Sequence, residues 1–206
     1  DFWRISGIER DVYLYSQPKV AIKDFRVTST LDDTYKNGIF KLTMDIRNTG
    51  SQTSKDYIIG YKVFDPKTNK VIAESEKNSA FNANSTISLF GHTEIEIPDV
   101  KTWTSEHPNL YKLLMYIKDG EKIVEMVPFN IGFRRIEIKP IEQKAANGQP
   151  YVCLFINGQP LKLKGVNIHE HNPATGHYVP EDLMRRDFEL MKRHNLNSVR
   201  LRHYPQ

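Results

Sequence analysis

Residues 20–135 alternate between apolar and polar side chains in short segments, and this period of two excludes a mainly helical fold there. Turn-forming residues separate the segments, as at 48–51 and at Asp119-Gly120, where the dipeptide is typical of a tight hairpin. Seven or eight short strands with such spacing indicate a β-sandwich. The predicted strands are 20–31, 39–46, 56–64, 71–74, 86–90, 93–97, 110–117 and 122–127.

The predicted sandwich is immunoglobulin-like but lacks the disulfide of antibody domains, because Cys153 is the only cysteine. A chain of 206 residues can bury a core without disulfides, so this lone cysteine leaves the cellular compartment open. We expect Trp103 to lie in the core. We expect Tyr111 to be a corner tyrosine at the start of a strand.

The pattern changes after residue 135. Short strands are predicted at 136–138, 152–156, 161–166 and 197–201, with a polar loop at 142–150 and a second loop at 167–179. Pro180-Glu181-Asp182 is a helix start, and Met184, Phe188 and Met191 form an apolar stripe at helical spacing. Asn195 is a candidate for the residue that ends this helix by adopting a left-handed backbone conformation. This β-loop-α-β order is one unit of a parallel sheet or barrel, and we expect its neighbours to lie beyond Gln206.

Composition narrows the class of protein further. Lys and Arg total 29 against 25 Asp and Glu, which gives a net charge of +4 without any block of like charges. We therefore expect no nucleic-acid partner. No apolar run is long enough to span a membrane, so we expect no membrane partner. The chain starts at Asp1 inside a folded-looking phrase, which suggests a segment of a longer protein.

Five of the seven histidines lie in the last 38 residues: His169, His171, His177, His194 and His203. His169-Glu170-His171 follows one predicted strand, and Arg200 and His203 lie at the end of the next. The carboxyl ends of neighbouring parallel strands open on one face of a barrel, where such folds bind their substrates. The sequence therefore predicts a polar-substrate site at this face.

Other interpretations of these residues stay open. His169 and His171 could be a metal pair or solvated loop histidines, and Arg200 could form a structural ion pair. Glu170 is a candidate catalytic carboxylate, but a retaining glycosidase needs two carboxylates about 5–5.5 Å apart and no convincing second one is present. We interpret His194 as a charge at the carboxyl end of the helix.

Several phrases together resemble glycoside hydrolase family two, most closely its bacterial β-galactosidase branch. They cover nearly the whole chain and occur in the family's order, at 1–12, 103–111, 131–134, 157–160, 164–167, 169–173, 176–177, 187–200 and 203–205. Arg202 stands where relatives usually carry a small residue, and Ile168 where they often carry a polar one.

The resemblance implies a mainly β fold. An immunoglobulin-like sandwich at 20–135 would be followed at 136–206 by the first βα unit of a truncated (β/α)8 barrel. Residues 1–19 would be a linker from a missing sugar-binding domain. The implied reaction is retaining hydrolysis of terminal β-galactosides through a covalent galactosyl-enzyme. Both catalytic glutamates would lie beyond Gln206, so we expect the chain alone to be inactive.

The resemblance also implies which residues bind the substrate. His169 and His203 match residues that hydrogen-bond the galactosyl ring, Arg200 matches an active-site arginine, and Asp1 matches an acid that reaches the sugar and a sodium ion. The magnesium ligands would lie later in the parent, which is expected to bind a galactoside and to form a homo-oligomer. The competing hypotheses are a stand-alone carbohydrate-binding or adhesion sandwich, and a metal-dependent hydrolase that uses His169 and His171.

Overall fold

The structure is a computed structural model that describes residues 7, 8, 10–91 and 94–202. The chain divides into two compact units, Ser16–Leu161 and a second one formed by Asp1–Tyr15 with Lys162–Gln206. The described residues form thirteen strands and one helix: β1 (Val20–Leu31), β2 (Gly38–Asn48), β3 (Tyr57–Phe64), β4 (Val71–Ser79), β5 (Ser85–Leu89), β6 (Glu94–Ile97), β7 (Tyr111–Asp119), β8 (Lys122–Ile131), β9 (Ile136–Lys144), β10 (Pro150–Ile156), β11 (Gln159–Pro160), β12 (Gly165–His169), α1 (Glu181–Arg193) and β13 (Ser198–Arg202).

Two antiparallel sheets of four strands make up most of the first unit. One has the order β1-β2-β5, with β6 pairing the other end of β2, and the second has the order β4-β3-β7-β8. Alternate residues of β2 and β7 are buried, as the period of a strand with one covered face requires. Phe40 of one sheet meets Tyr61 of the other, with ring centroids 5.6 Å apart. The two inner faces share one core, which confirms the predicted immunoglobulin-like sandwich.

Tyr111 has the predicted corner role. Its hydroxyl accepts a hydrogen bond from the backbone N–H of Lys101 at 2.8 Å, which ties the start of β7 to the preceding segment. The core position predicted for Trp103 is wrong, because this side chain is only partly buried. The guanidinium of Arg134 lies over its ring, 4.5 Å from the centroid, and Gly132 leaves it room on that edge of the sandwich.

A third sheet, β11-β10-β9, completes the first unit. The predicted loop at 142–150 is wrong in extent, because β9 continues to Lys144 and only residues 145–149 turn between the two strands. Most residues of β9 are exposed or half-buried, so a polar sequence is compatible with a strand there. The hairpin turn at Asn157-Gly158 is as predicted, with positive φ at both residues.

A clamp centred on Tyr35, in the turn between β1 and β2, holds this third sheet. Its hydroxyl donates to Glu137 at 2.8 Å and accepts from Lys139 at 2.7 Å. The Lys139 ammonium and the Tyr35 hydroxyl hold the pKa of Glu137 below its usual range. Tyr35 has a φ of 59°, which is rare for a bulky residue, and its ring covers Gly158.

The second unit contains the parallel pair β12 and β13 and the connecting helix α1. The strand predicted at 161–166 lies further along the chain, since β12 runs from Gly165 to His169. The helix starts directly after Pro180 and is followed by Asn195 with a φ of 58°, both as predicted. Its apolar stripe faces the two strands across a small cavity. Among the described residues no helix is both long and apolar enough to cross a membrane.

The described residues 10–19 contain neither helix nor strand. The predicted domain limits at 19/20 and 135/136 stay predictions. The first compact unit is a different division of the chain, since it extends to Leu161 and includes the third sheet.

Candidate functional site

Asn197 aligns the two parallel strands at their amino ends. Its side-chain carbonyl accepts from the backbone N–H of Lys164 at 2.8 Å, and its side-chain amide donates to the carbonyl of Lys162 at 3.0 Å. Its own N–H donates to the Lys164 carbonyl at 3.0 Å. One short polar side chain therefore joins the segment before β12 to the start of β13, and it fixes their register.

The register decides which side chains share a face. Asn167 lies opposite Arg200, and His169 lies opposite Arg202. Paired residues of parallel strands point the same way, and side chains alternate along each strand. These four residues therefore share one face, while Ile168 and the residue opposite it point to the other.

The second face of the two strands is turned toward α1. Ile168 and Leu201 line a cavity of about 150 Å³ together with Met184 and Phe188 of α1. In a (β/α)8 barrel the helices lie outside the strands, so the face turned away from α1 is the inner one. His169 and Arg200, both predicted from the sequence, lie on this inner face near the carboxyl ends of their strands.

Arg200 and Arg202 carry uncompensated charge within the described part of the chain. Neither guanidinium has an ion pair or a side-chain hydrogen bond to another described residue, so the structural ion pair considered for Arg200 is absent from residues 94–202 and the other described segments. Arg200 is exposed and Arg202 is half-buried. Arg202 was not among the predicted site residues, although its spacing of two from Arg200 on one strand was visible in the sequence.

Two predicted site residues lie outside the described residues. Asp1 and His203 belong to the segments 1–6 and 203–206, which the structure does not describe. Their roles toward the sugar, and the sodium role of Asp1, stay predictions.

Glu170 follows His169 directly, and both residues line the cavity beside α1. The Glu170 side chain is buried, with 7% of the residue exposed, and it lines the cavity on the helix side with Asp187. Both carboxylate oxygens are buried without a hydrogen-bond partner in the described structure. The interpretation of Glu170 as a catalytic carboxylate therefore stays a prediction, and its burial beside α1 gives that interpretation no support.

The loop after β12 is compact because it contains its own buried residues. Asn172 and Gly176 exchange backbone hydrogen bonds, both 2.8 Å long. His177 is buried below them, with Nδ1 3.5 Å from the Glu170 carbonyl and its ring centroid 6.0 Å from that of His171. The sequence predicted a loop at 167–179 and gave no indication that residues within it are buried. The only available signal was the turn-forming Asn and Gly four residues apart.

The metal hypothesis has no support from the geometry. In the segments that the structure describes, no group of three His, Cys, Asp or Glu side chains is arranged to hold a metal ion. His171 instead packs edge-on against His177. A structural or catalytic zinc site needs at least three such ligands.

The sandwich has a groove of its own, with a volume of about 470 Å³, between the edge strands β1 and β8. Trp103, Phe129 and Arg134 are among its lining residues. Aromatic rings that bind sugars need an open face, whereas Arg134 covers a face of the indole. The groove therefore gives little support to the carbohydrate-binding alternative.

Two sequence models of known families match the chain. Residues 20–134 match the model described as "Glycosyl hydrolases family 2", and residues 151–206 match "Glycosyl hydrolases family 2, TIM barrel domain". The first match covers the sandwich, and the second contains both parallel strands and α1.

Curated relatives match over the full length of the chain. It is 36% identical to a β-galactosidase of Streptococcus thermophilus over 205 residues and 38% identical to one of Priestia megaterium over 208 residues. The alignments cover all of this chain but only 18% and 19% of the two relatives. The chain thus spans about a fifth of the length of these relatives.

Solved structures show the same fold. A β-glucuronidase of Parabacteroides merdae superposes with a TM-score of 0.74 at 24% identity, over 92% of this chain and 22% of that one. A family 2 glycosyl hydrolase of Bacteroides cellulosilyticus gives a TM-score of 0.73 at 23% identity, over 92% of this chain and 24% of that one. At these identities the likeness supports the arrangement of strands and helix and carries no conclusion about the substrate.

Proposed function

The chain belongs to family 2 of the glycosyl hydrolases, and from this premise we propose that it is part of a retaining β-galactosidase. The named relatives support the substrate, since they are β-galactosidases that match the chain from end to end. One observation of the structure carries the proposal. The register of β12 and β13 puts His169 and Arg200 on the inner face of a barrel start.

The chain contributes to substrate binding in this proposal. An imidazole at the end of a barrel strand can donate to or accept from a sugar hydroxyl. Such a bond strengthens as positive charge develops on the sugar ring in the transition state. Arg200 offers a fixed, permanently charged donor beside it, suited to orienting an oxygen of the substrate or a carboxylate of the enzyme. His203 is proposed to act with His169, on the basis of the sequence.

The bond-breaking step needs groups from outside the described chain. Retaining hydrolysis uses an acid and a nucleophile about 5–5.5 Å apart. In the second unit, within residues 162–202, the acidic side chains lie on α1 or, for Glu170, on the helix side of β12. The inner face thus has no carboxylate there. We propose that both catalytic glutamates belong to later barrel strands, and that this chain alone does not hydrolyse galactosides.

The proposal extends to ions and assembly. Magnesium and sodium are proposed as cofactors of the complete protein, but the described residues do not fit a metal site, so no step here depends on one. A homo-oligomer without nucleic-acid or membrane partners is proposed as well, testable by light scattering of the complete protein. Loss of activity on chelation, restored by magnesium, is the expected result for the metal.

The experiment is a histidine series in the complete protein, with a chromogenic β-galactoside and a transition-state analogue. We expect His169→Ala and His203→Ala each to lower kcat and kcat/KM on the order of 10²-fold or more, because they remove a bond made mainly in the transition state. His194→Ala is the matched control, since His194 lies at the end of α1, away from the inner face. If both site variants stay within a factor of about two of the wild type, the site assignment is wrong.

A further inference from the structure

We propose that Arg202 adapts this site to galactosides that carry an anionic group, such as a sulfate or phosphate ester. This inference rests on the proposed function, because it concerns the substrate of the same site. Three observations support it: the face on which Arg202 lies, the charge of that face, and the position of Arg202 at its outer edge.

The register places Arg202 directly opposite His169 and on the same face as Arg200. The two arginines are two residues apart on β13, so their Cα atoms are roughly 7 Å apart. Arg202 is the last residue of its strand, at the carboxyl end. Carboxyl ends of barrel strands are where substrates bind, so a side chain at this position can reach a substituent of a sugar held by His169.

On β12 and β13 this face carries two arginines and no carboxylate. Asn167 and His169, across from the two arginines, supply no carboxylate, and Glu170 turns to the helix side. Two neighbouring guanidinium groups repel each other unless an anion lies near them. A guanidinium matches the oxygens of a sulfate or phosphate with two parallel hydrogen bonds, which a neutral hydroxyl cannot replace.

A neutral galactoside presents no anionic group to either arginine, so it would leave both guanidinium groups without a charged partner on β12 and β13. The competing explanation for Arg202 is a carboxylate from another barrel strand that neutralises it. The two explanations differ in a measurable way, because only a substrate-binding role makes the charge of the substrate matter.

The test compares substrates in the complete protein. The substrates are a neutral nitrophenyl β-galactoside, its 3-sulfate, its 6-sulfate and its 6-phosphate, and the readout is the ratio of kcat/KM for each anionic substrate to that for the neutral one. We expect Arg202→Ser to lower this ratio on the order of 10- to 100-fold for at least one anionic substrate, the range for a lost charge-assisted hydrogen bond. Arg202→Lys should keep part of the preference, because it keeps the charge without the planar fork.

Arg186→Ser is the control, since Arg186 is an exposed residue of α1, and it should leave the ratio unchanged. The anionic substrate with the largest drop identifies the group as a sulfate or a phosphate. If Arg202→Ser lowers melting temperature and activity alike but leaves the ratio unchanged for every anionic substrate, Arg202 is part of an internal ion pair and the inference is wrong.

A binding measurement separates this inference from the proposed function. If the complete protein hydrolyses no β-galactoside, the proposed function fails. Calorimetric titration with galactose 6-sulfate, galactose 3-sulfate, galactose 6-phosphate and galactose then decides whether Arg202 binds an anionic group of the sugar. Tighter binding of one anionic sugar by the wild type than by Arg202→Ser supports it. Equal binding by the two proteins contradicts it.

Discussion

The two units of the chain differ in where their apolar side chains find partners. In the first unit, twenty buried residues among those described form one core, with Phe40 of β2 and Phe81 of the loop after β4 fully covered. In the second unit no residue of α1 is buried, and Phe188 and Leu190 are about half exposed. The sandwich completes its own core, whereas a single βα unit is one of eight that a barrel needs. The proposed substrate-binding residues His169 and Arg200 therefore lie in the unit that has less stability of its own.

The largest expected difference between the units is in local stability. In the chain alone, we expect amides of α1 to be protected from hydrogen exchange by a factor on the order of 10² to 10³ less than those of β3. A short helix without buried contacts is marginal in water, whereas β3 is central in its sheet. Exchange measured by mass spectrometry on a dilute monomer tests this. Equal protection in both elements would show that the contrast is mistaken.

Matched truncations sharpen the comparison. Phe40→Ala should lower the free energy of unfolding by about 3–5 kcal/mol, since it leaves a cavity in a fully buried site. Phe188→Ala should lower it by about 1 kcal/mol, because this side chain is already about half exposed. Urea unfolding followed by circular dichroism measures both. A cost for Phe188→Ala as large as that for Phe40→Ala would mean that α1 is covered in solution.

A close contact in the sandwich gives a smaller effect. A Cβ on Gly60 in β3 would lie 2.6 Å from the ring of Tyr116, closer than packed atoms allow. Gly60→Ala should therefore destabilise the sandwich by about 1–3 kcal/mol, the usual range for overpacking. A double-mutant cycle with Tyr116→Ala checks the cause, because the penalty of the added methyl group should shrink when the ring is absent. Additive effects would exclude this contact as the reason.

The smallest expected effect depends on pH. The Lys101 ammonium, 2.6 Å from Asp65, and the N–H of Lys67 hold the pKa of Asp65 below its usual range. A lowered pKa in the folded state contributes stability above the unfolded pKa, and this contribution is lost as the pH falls through the folded pKa. Asp65→Asn should therefore be less stable than the wild type at pH 7, and the two proteins should converge in acid.

The expected difference is small because half of the Lys101 side chain is exposed and water screens the pair. Unfolding midpoints in urea from neutral to acidic pH measure it. Lys101→Met should show the same convergence. A difference between wild type and Asp65→Asn that is constant over this range would point to packing instead of charge.

Much of the sandwich was predictable because burial there follows the local pattern. β1 begins and ends at the predicted residues, and Leu31 at its end is buried. The extension of β9 to Lys144 was missed because its last residues, 142–144, are all exposed and polar and have no apolar alternation to detect. Trp103 was misplaced because residue type suggests burial, whereas a contact with Arg134 at the sandwich edge is a property of the fold.

Only the part of the candidate site that follows from the geometry of parallel strands was predictable. That His169 and Arg200 share a face follows from the register, and the spacing of helix and strands was enough to expect it. The burial of Glu170 and His177 depends on how the loop closes through Asn172 and Gly176. Such loop contacts join residues without any periodic signal, so the sequence could not show that this carboxylate and this imidazole are buried.

The clamp around Tyr35 has a consequence for how this sequence can evolve. A Cβ on Gly158 would lie 2.7 Å from the Tyr35 ring, and Gly158 itself has a φ of 76°. Both the ring and the backbone conformation therefore disfavour any side chain at this position. The Tyr35 ring therefore adds a second requirement for glycine at 158, beside the positive φ of the hairpin. Across related sequences we therefore expect residues 35 and 158 to vary together, with an aromatic residue at 35 accompanied by glycine at 158. Substitutions in the turn between β1 and β2 would then be correlated with substitutions in the hairpin more than a hundred positions later.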